Sequence, residues 1–238
     1  PVSPLSIFLL NSLFFQNDVF RPAGHEPRRE MAMIRSFVYG VLNTNAYLVW
    51  QDADAVLVDP PDDTAEVEKV MAENGLTLRA LLCTHLHFDH VTGCAAWQKK
   101  TDLPVFAGQQ DIDNREILCD GAKNFDLTIS DFRVQPLQPG MVSFGSLNVT
   151  VISVPGHSPG SLCYYFPSQK ILLSGDTLFH HQIGFTDIMP LQSDEALRAA
   201  IADRLLTLPD DTKVYPGHRE PTTIGEENAW GTLYRSSN

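Results

Sequence analysis

Three histidines and an aspartate crowd into residues 84–90, which read Thr-His-Leu-His-Phe-Asp-His. The whole chain contains only eight histidines, so this density calls for an explanation. Imidazole and carboxylate groups are the ligands that zinc and iron use in proteins. A lone histidine would be an ordinary surface or core residue, but His85, His87, Asp89 and His90 together predict a metal site.

Three further ligand-type residues each end an apolar run that reads as a strand. The run "VTVISVPGH" ends in His157, "KILLSGD" ends in Asp176 and "TKVYPGH" ends in His218. A glycine precedes each of them, where it can supply a tight turn and a close backbone approach. One such turn would be weak evidence. Three of them bring the candidate ligands to seven, enough for two adjacent metal ions at one edge of the sheets.

Two neighbouring divalent cations would give this site hydrolytic chemistry. They can share a water molecule and lower its pKa to about neutrality, which supplies a hydroxide nucleophile. That hydroxide would attack an ester or thioester carbonyl while a metal ion stabilises the oxyanion. No serine or cysteine nucleophile is needed. Cys83 and Cys94 flank the cluster but lie in apolar stretches, which favours a packing role.

The helices and strands that position these residues are predicted to form a mixed α/β domain, because short apolar runs alternate with helical patterns. The run "LRALLC" is predicted to be a buried strand that leads into the cluster, and residues 93–101 leave the cluster as a helix. An earlier helix is predicted with Asp63 as N-cap and Gly75 as terminator. A late helix is predicted with Ser193 as its cap.

Between these helices, strand pairs are predicted at 142–157 and 161–176. Residues 109–135 are less regular; a helix is predicted at 110–118, and we expect the segment to form a lid or surface excursion. No internal repeat or linker divides the remainder, so residues 31–238 are expected to form a single domain.

Residues 1–30 read as an appendage outside that domain. They contain the apolar run "PLSIFLLNSLFF", which has about the length of a signal-peptide core. No basic residue precedes this run, no clear cleavage site follows it, and it is too short to span a bilayer. A cleaved leader is the alternative interpretation.

The chain's net negative charge argues against nucleic acids and anionic membranes as partners. With 238 residues, a formal net charge of −12 and a pI near 4.9, it would gain nothing from counterion release on nucleic acid, and anionic membranes are disfavoured too. Its four cysteines show no Cys-x-x-Cys spacing and no disulfide framework. We therefore expect a cytoplasmic protein that acts on a small molecule.

The motif His-x-His-x-Asp-His at 85–90, followed in order by "PGHSPGS", "SGDTLF" and "VYPGH", resembles the metallo-β-lactamase fold superfamily. The likeness is closest to its glyoxalase II-like (hydroxyacylglutathione hydrolase-like) branch and extends over about residues 33–227, including "LVDP" and "TTIGEE". The resemblance implies an α/β fold of four layers, an αββα sandwich.

The same resemblance implies two metal sets bridged by Asp176. The sets are His85, His87 and His157 for one ion, and Asp89, His90 and His218 for the other. Asp89 and Asp176 would be the carboxylates that take part in catalysis, and Asp59 would orient the ligand loop from behind. Two divalent ions are expected, with zinc preferred and iron or manganese as alternatives.

The activity implied is hydrolysis of a small thioester such as S-lactoylglutathione, or of an ester. Asp176 disfavours antibiotic cleavage, because β-lactamases of the commonest type place a cysteine in the second metal set. Three alternatives stay open: a lactonase, a mononuclear iron persulfide dioxygenase, and a metal-stabilised scaffold without activity.

The sequence departs from that branch at two places. Phe185 replaces an arginine in "GFTD", which removes a cation and offers an apolar contact instead. The tail "NAWGTLYRSSN" replaces the usual ending, and we expect the chain to lack the helical domain that holds glutathione in classical glyoxalase II. The acyl group of the substrate is therefore left open. His180 and His181 are interpreted as residues of the pocket rim or of the solvent-exposed surface.

Overall fold

The computed structural model describes residues 33–231, so the expected appendage at 1–30 lies outside the described residues. The first sheet has six strands that lie side by side in chain order. They are β1 (Met33–Tyr39), β2 (Thr44–Gln51), β3 (Asp54–Val58), β4 (Thr77–Leu82), β5 (Val105–Ala107) and β6 (Val134–Pro136). The pairs β1–β2 and β2–β3 are antiparallel, whereas β3 to β6 run parallel. Parallel neighbours need crossover connections, which helices provide here.

The second sheet uses the later part of the chain. Its strands are β7 (Gly140–Phe144), β8 (Leu147–Ser153), β9 (Leu162–Phe166), β10 (Ile171–Gly175), and, after a small hairpin of β11 (Leu178–Phe179) and β12 (Gln182–Ile183), β13 (Lys213–Pro216) and β14 (Thr222–Thr223). Their spatial order is β14-β13-β10-β9-β8-β7. Only the β10–β13 pair is parallel within this sheet, so both strands end at the same edge.

Helices cover the outer faces of both sheets. They are α1 (Ala65–Glu73), α2 (Phe88–Val91), α3 (Cys94–Thr101), α4 (Gln109–Asp113), α5 (Arg115–Cys119), α6 (Asp194–Ala200) and α7 (Ile224–Trp230). A 3-10 turn at Asp120–Phe125 extends α5, and a π-helical turn at Ile201–Leu205 extends α6. Within residues 33–231, every helix is too short or too polar to cross a bilayer.

Three apolar cores separate four layers, as predicted. The first core lies between the outer helices and the first sheet and includes Leu48 and Trp97. The second lies between the two sheets and includes Val49 and Tyr164. The third lies between the second sheet and its helices and includes Leu197. Leu48 and Val49 are neighbours in β2 but enter different cores, because side chains alternate along a strand.

Two local predictions were wrong in detail. Asp63 is not the cap of α1, which begins after Thr64; the Asp63 carboxylate accepts a hydrogen bond from the backbone N–H of Ala65 at 3.0 Å, in a turn before the helix. The predicted helix at 110–118 is broken at Asn114 into α4 and α5. The cap at Ser193 is confirmed, because its Oγ accepts the N–H of Ala196.

Candidate metal centre

The structure brings all seven candidate ligands together at one edge of the two sheets. They are His85 and His87 in the loop after β4, Asp89 and His90 in α2, and His157, Asp176 and His218 after β8, β10 and β13. The ring of His85 lies 4.6 Å from that of His87, 4.1 Å from that of His90 and 4.9 Å from that of His157, between centroids.

Two groups of three residues each have their ligand atoms within 4.8 Å of one another. They are His85, His87 and His157 in one group, and Asp89, His90 and His218 in the other. These groups coincide with the two metal sets implied by the sequence motif. In the first, Nδ1 of His87 lies 2.9 Å from Nε2 of His157. In the second, Nε2 of His218 lies 3.2 Å from Oδ2 of Asp89.

Asp176 lies between the two groups. Its Oδ1 is 3.5 Å from Nε2 of His90. Its Oδ2 is 3.6 Å from Nε2 of His157 and 3.5 Å from Nε2 of His218. A single carboxylate therefore reaches both sets, which is the position a bridging ligand needs.

Backbone and side-chain acceptors fix which nitrogen of each ring faces the centre. Nδ1 of His157 donates to the carbonyl of Phe185 at 2.8 Å, and Nδ1 of His218 donates to the carbonyl of Leu42 at 3.1 Å. Nδ1 of His85 contacts the Thr84 hydroxyl at 3.0 Å. Each arrangement turns Nε2 inward, so Nε2 is the nitrogen that would bind a metal ion.

Several of the inward atoms are buried without a hydrogen-bond partner among residues 33–231. They include Nε2 of His85, Nε2 of His90 and Oδ1 of Asp176. Buried polar atoms are rarely left unpaired, and each one needs an explanation. Two divalent cations would satisfy these atoms, and imidazole with carboxylate is a donor set that such ions accept. The residues present therefore fit a pair of metal ions.

Two of the glycines noted in the sequence are required by this packing. A Cβ on Gly217 would lie 2.2 Å from Oδ1 of Asp176, so a side chain there would occupy the centre itself. Gly156 has a φ of +144°, and a Cβ there would lie 2.4 Å from Cβ of Leu197. The first glycine allows close approach and the second allows a strained turn.

Asp59 supports the second set from behind, in the place the sequence suggested. This residue is 1% exposed and follows β3. Its carboxylate accepts hydrogen bonds from the N–H of Thr84 at 2.7 Å, from the Thr84 hydroxyl at 2.8 Å and from Nδ1 of His90 at 2.9 Å. It therefore fixes both the ligand loop and the orientation of the His90 ring.

The histidines of the metal-free centre differ in their protonation state near pH 7. Burial lowers the pKa of His85 well below its usual value and that of His87 to about 3, so both are neutral. Burial acts in the same direction at His90 and His218, but the two centre carboxylates outweigh it. They raise the pKa of His90 well above its usual value and that of His218 to about 9.

Metal binding should therefore release protons. Near pH 7, His90 and His218 are protonated in the metal-free protein, and each must lose its Nε2 proton to become a ligand. We expect about two protons to leave these side chains as both sets fill, and metal affinity to rise with pH up to the pKa of His218. Titration calorimetry of zinc binding in buffers of different ionisation enthalpy measures the number released.

Two variants serve as comparisons for the number of protons released. His218→Asn should release about one proton fewer per chain. Asp203→Asn changes an exposed carboxylate that belongs to none of the candidate ligand groups and should release as many as the unmodified chain. A binding heat that does not depend on the buffer would contradict the expectation.

Asp111 is a supporting residue that sequence reasoning missed. Its fully buried carboxylate accepts hydrogen bonds from the N–H of Leu86 at 2.9 Å, from the N–H of Gly160 at 2.6 Å and from the hydroxyl of Ser158 at 2.8 Å. It thus joins the loop of His85 and His87 to the loop of His157. The expected surface excursion is therefore partly buried. The available signal was Gly108, which follows β5 and comes three positions before Asp111.

Ser158 also stands in a Gly-x-Ser-x-Gly sequence, at 156–160, which is the spacing of a nucleophilic serine motif. Its side chain is buried and donates to Asp111, and it lies 2.7 Å from the hydroxyl of Ser161. No histidine contacts its hydroxyl within the described chain. The hydroxyl group of Ser158 therefore serves to hold the loop.

A separate group lies beside the mouth of the centre. His180 is exposed, as interpreted from the sequence, whereas the ring of His181 stacks on Trp230 at 4.0 Å. The buried carboxylate of Glu227 accepts the N–H of His181 and the hydroxyl of Thr222. Glu227 therefore secures the hairpin of β11 and β12 to α7.

Five of the seven residues line a cavity of about 610 Å³; they are His87, Asp89, His157, Asp176 and His218. Phe185, which takes the place of the expected arginine, is 53% exposed and lines this cavity with Ile183 and Ile188. Arg219 is the one arginine or lysine among its described lining residues. The wall thus combines an apolar part with polar residues, and its cation, Arg219, lies between His218 and Glu220 in the chain.

Comparison with known proteins agrees with this architecture. The sequence profile of the Metallo-beta-lactamase superfamily matches residues 39–218. A "Probable metallo-hydrolase YqgX" of Bacillus subtilis is 32% identical over 197 residues, which cover 80% of this chain and 92% of the relative. The "Hydroxyacylglutathione hydrolase GloC" of Haemophilus influenzae is 31% identical, over 77% of this chain and 89% of the relative.

Solved structures show the same likeness. TTHA1623 in a di-iron-bound form is 37% identical with a TM-score of 0.75, covering 84% of this chain and 99% of that one. The B3 metallo-beta-lactamase BLEG-1 is 32% identical with a TM-score of 0.74, covering 86% of this chain and 100% of that one. Structural similarity of this extent includes both sheets.

Proposed function

The chain belongs to the metallo-β-lactamase superfamily as a metallo-hydrolase, and we propose that the bond it cleaves is that of a thioester of the S-lactoylglutathione type. The observation that carries the proposal is the position of Asp176 between the two histidine-rich sets, within 3.6 Å of both. The name of the GloC relative, a hydroxyacylglutathione hydrolase, supports the thioester class.

In this proposal His85, His87 and His157 would hold the first ion, Asp89, His90 and His218 would hold the second, and Asp176 is the carboxylate available to both sets. Divalent ions bound there supply activation of water at neutral pH and polarisation of a carbonyl group. Zinc is the proposed ion. The sequence motif and the inward nitrogens support the ligand assignment.

The side chains around the centre have defined tasks. Burial opposes ionisation of Asp176 and of Asp89, yet neighbouring imidazoles hold the pKa of both carboxylates below the usual value. Both therefore stay ionised and accept hydrogen bonds or ions, and neither acts as a general acid. The Thr44 hydroxyl donates to Oδ2 of Asp89 at 2.9 Å and fixes that carboxylate. Arg219 is placed to orient an anionic group of the thiol.

The test is hydrolysis of S-lactoylglutathione by the zinc-loaded chain. We expect turnover that disappears with a chelator and returns when zinc is restored. An oxygen ester, a lactone and a β-lactam are compared in parallel, the last because BLEG-1 is described as a metallo-beta-lactamase. If a chain loaded with two ions cleaves the lactone or the β-lactam but no thioester, the thioester proposal fails.

Persulfide dioxygenation with a single iron ion is the second candidate. It is favoured by one observation: the persulfide dioxygenase ETHE1 from Myxococcus xanthus is 30% identical with a TM-score of 0.67, covering 84% of this chain and 83% of that one. Elemental analysis of protein purified without chelator separates the two. About two zinc ions per chain support the hydrolase, whereas one iron ion with oxygen consumption on glutathione persulfide supports the dioxygenase.

A cytoplasmic location is part of the proposal. Its support is that Cys83, Cys94, Cys119 and Cys163 form no disulfide in the described part of the chain. The Sγ atoms of Cys83 and Cys94 lie 3.5 Å apart as thiols within the first core. A reducing compartment keeps such a pair unlinked.

A further inference from the structure

A second cavity, of about 660 Å³, opens beside the one that holds the ligand cluster. The two cavities share four wall residues, Leu42, Phe88, Ile188 and Met189. Phe88 directly precedes Asp89, so the shared wall begins at the centre itself. The second cavity therefore continues the first as a groove, and we call it the apolar groove.

The walls of the apolar groove expose large apolar side chains to solvent. Beyond the shared residues they include Ile117 and Phe125, which are 44% and 42% exposed, while the shared Ile188 is 64% exposed. The ring of Phe125 stacks on that of Phe88 with centroids 5.2 Å apart. Contiguous exposed apolar surface beside a reaction centre is typical of a ligand-binding groove.

The charged residues around the apolar groove indicate which kind of chemical group it can bind. No arginine or lysine among residues 33–231 lines it, whereas the carboxyl groups of Glu116 and Asp120 do. Asp120 is paired with Lys123, and Arg219 lines only the first cavity. An anionic group is therefore repelled from the apolar groove and is accommodated beside Arg219 in the first cavity.

We propose that the apolar groove binds the acyl chain of the substrate, and that the chain is uncharged, apolar and longer than a lactoyl group. This inference rests on the proposed thioester hydrolysis. In that reaction water adds to the acyl carbon, a C–O bond forms and the C–S bond breaks. The products are a fatty carboxylate, a thiol and one proton. The apolar groove then selects the acyl part, and the Arg219 side receives the thiol part.

The proposal is tested with thioesters of one thiol and a series of acyl groups. Acetyl, butanoyl, hexanoyl and octanoyl thioesters of N-acetylcysteamine are compared on the zinc-loaded chain. Each fully buried methylene contributes up to about fourfold. Because the groove is open on one side, we expect kcat/KM for octanoyl to exceed that for acetyl by about 30-fold. A flat series overturns the proposal.

Variants locate the effect in the groove. Phe125→Ser should lower the octanoyl-to-acetyl ratio of kcat/KM by about tenfold, because the far wall of the groove becomes polar. Met141→Ser changes a residue of β7 that is 80% exposed and lines neither cavity, so it should leave the ratio unchanged. If the two variants behave alike, the groove does not bind the acyl chain.

A binding measurement separates this inference from the proposed function. S-ethyl and S-octyl thioethers of N-acetylcysteamine cannot be hydrolysed, and calorimetry gives their affinities. Suppose that no thioester is cleaved but the octyl compound binds more tightly, and that Phe125→Ser removes that gain. The proposal that the groove binds the acyl chain is then supported, and the thioesterase proposal is rejected. If acetyl thioester is cleaved while both series are flat, the groove falls and the thioesterase proposal stands.

Discussion

Asp176→Asn is expected to lower kcat/KM for a thioester by about a thousandfold while the chain stays folded. The substitution keeps the shape of the side chain but removes its negative charge. Nε2 atoms of His90, His157 and His218 all lie within 3.6 Å of this carboxylate, so it is the one group that serves both sets. Without it, the charge that holds the two ions together is lost.

Kinetics, metal content and circular dichroism together check this expectation. We expect less than two zinc ions per chain in Asp176→Asn and an unchanged far-ultraviolet spectrum. Asp203→Asn, at an exposed position in the π-helical turn after α6, is the matched control and should keep full activity. A variant at 176 that retains two ions and a tenth of the activity would show that the carboxylate does not bridge. A scaffold without activity would change only in stability.

Asp59→Asn is expected to weaken zinc binding by about 100-fold. It should also lower the free energy of unfolding of the metal-free chain by about 2 kcal/mol. An amide offers one acceptor oxygen, whereas the carboxylate accepts bonds at both oxygens from Thr84 and His90. A buried donor would lose its acceptor, and the His90 ring would lose its orientation. Asparagine tolerates the φ of +49° at this position, so the backbone adds no strain.

Asp52→Asn provides the control for that variant. Asp52 has a similar φ, +53°, but lies exposed in the turn between β2 and β3. It should change neither zinc affinity, measured by competition with a chromophoric chelator, nor the denaturant midpoint. If Asp59→Asn binds zinc as tightly as Asp52→Asn does, the carboxylate does not orient the ligand loop.

The residue patterns predicted a mixed α/β domain because their signals are local, whereas the four layers were implied by the resemblance to the superfamily. Alternating apolar residues in strands, the Ser193 cap and the glycine before each polar strand end are all readable within ten residues or fewer. The ligand candidates were found for the same reason. Four lie in one window, and His157, Asp176 and His218 share one strand-glycine pattern.

Contacts between distant segments could not be read in that way. Asp111 bonds to residues 25, 47 and 49 positions away, so its role depends on how β5 and the β8–β9 loop meet. The apolar groove likewise combines Leu42, Phe125 and Ile188, which belong to three separate loops. Asp63 and Thr64 are neighbouring polar residues that are both candidates for the N-cap of α1, and only the geometry of the turn decides between them.

The two sheets follow one another along the chain, and this order governs when a newly made chain can acquire metal. Residues 33–136 form the first sheet and 140–223 the second. The four ligands of the window emerge from the ribosome with the first sheet. Each three-residue set needs one more histidine, His157 or His218, from the second. A chain that ends before His157 therefore exposes histidines but neither complete set. The first set would be complete once His157 has emerged after β8, whereas filling both sets would have to wait until translation has passed β13.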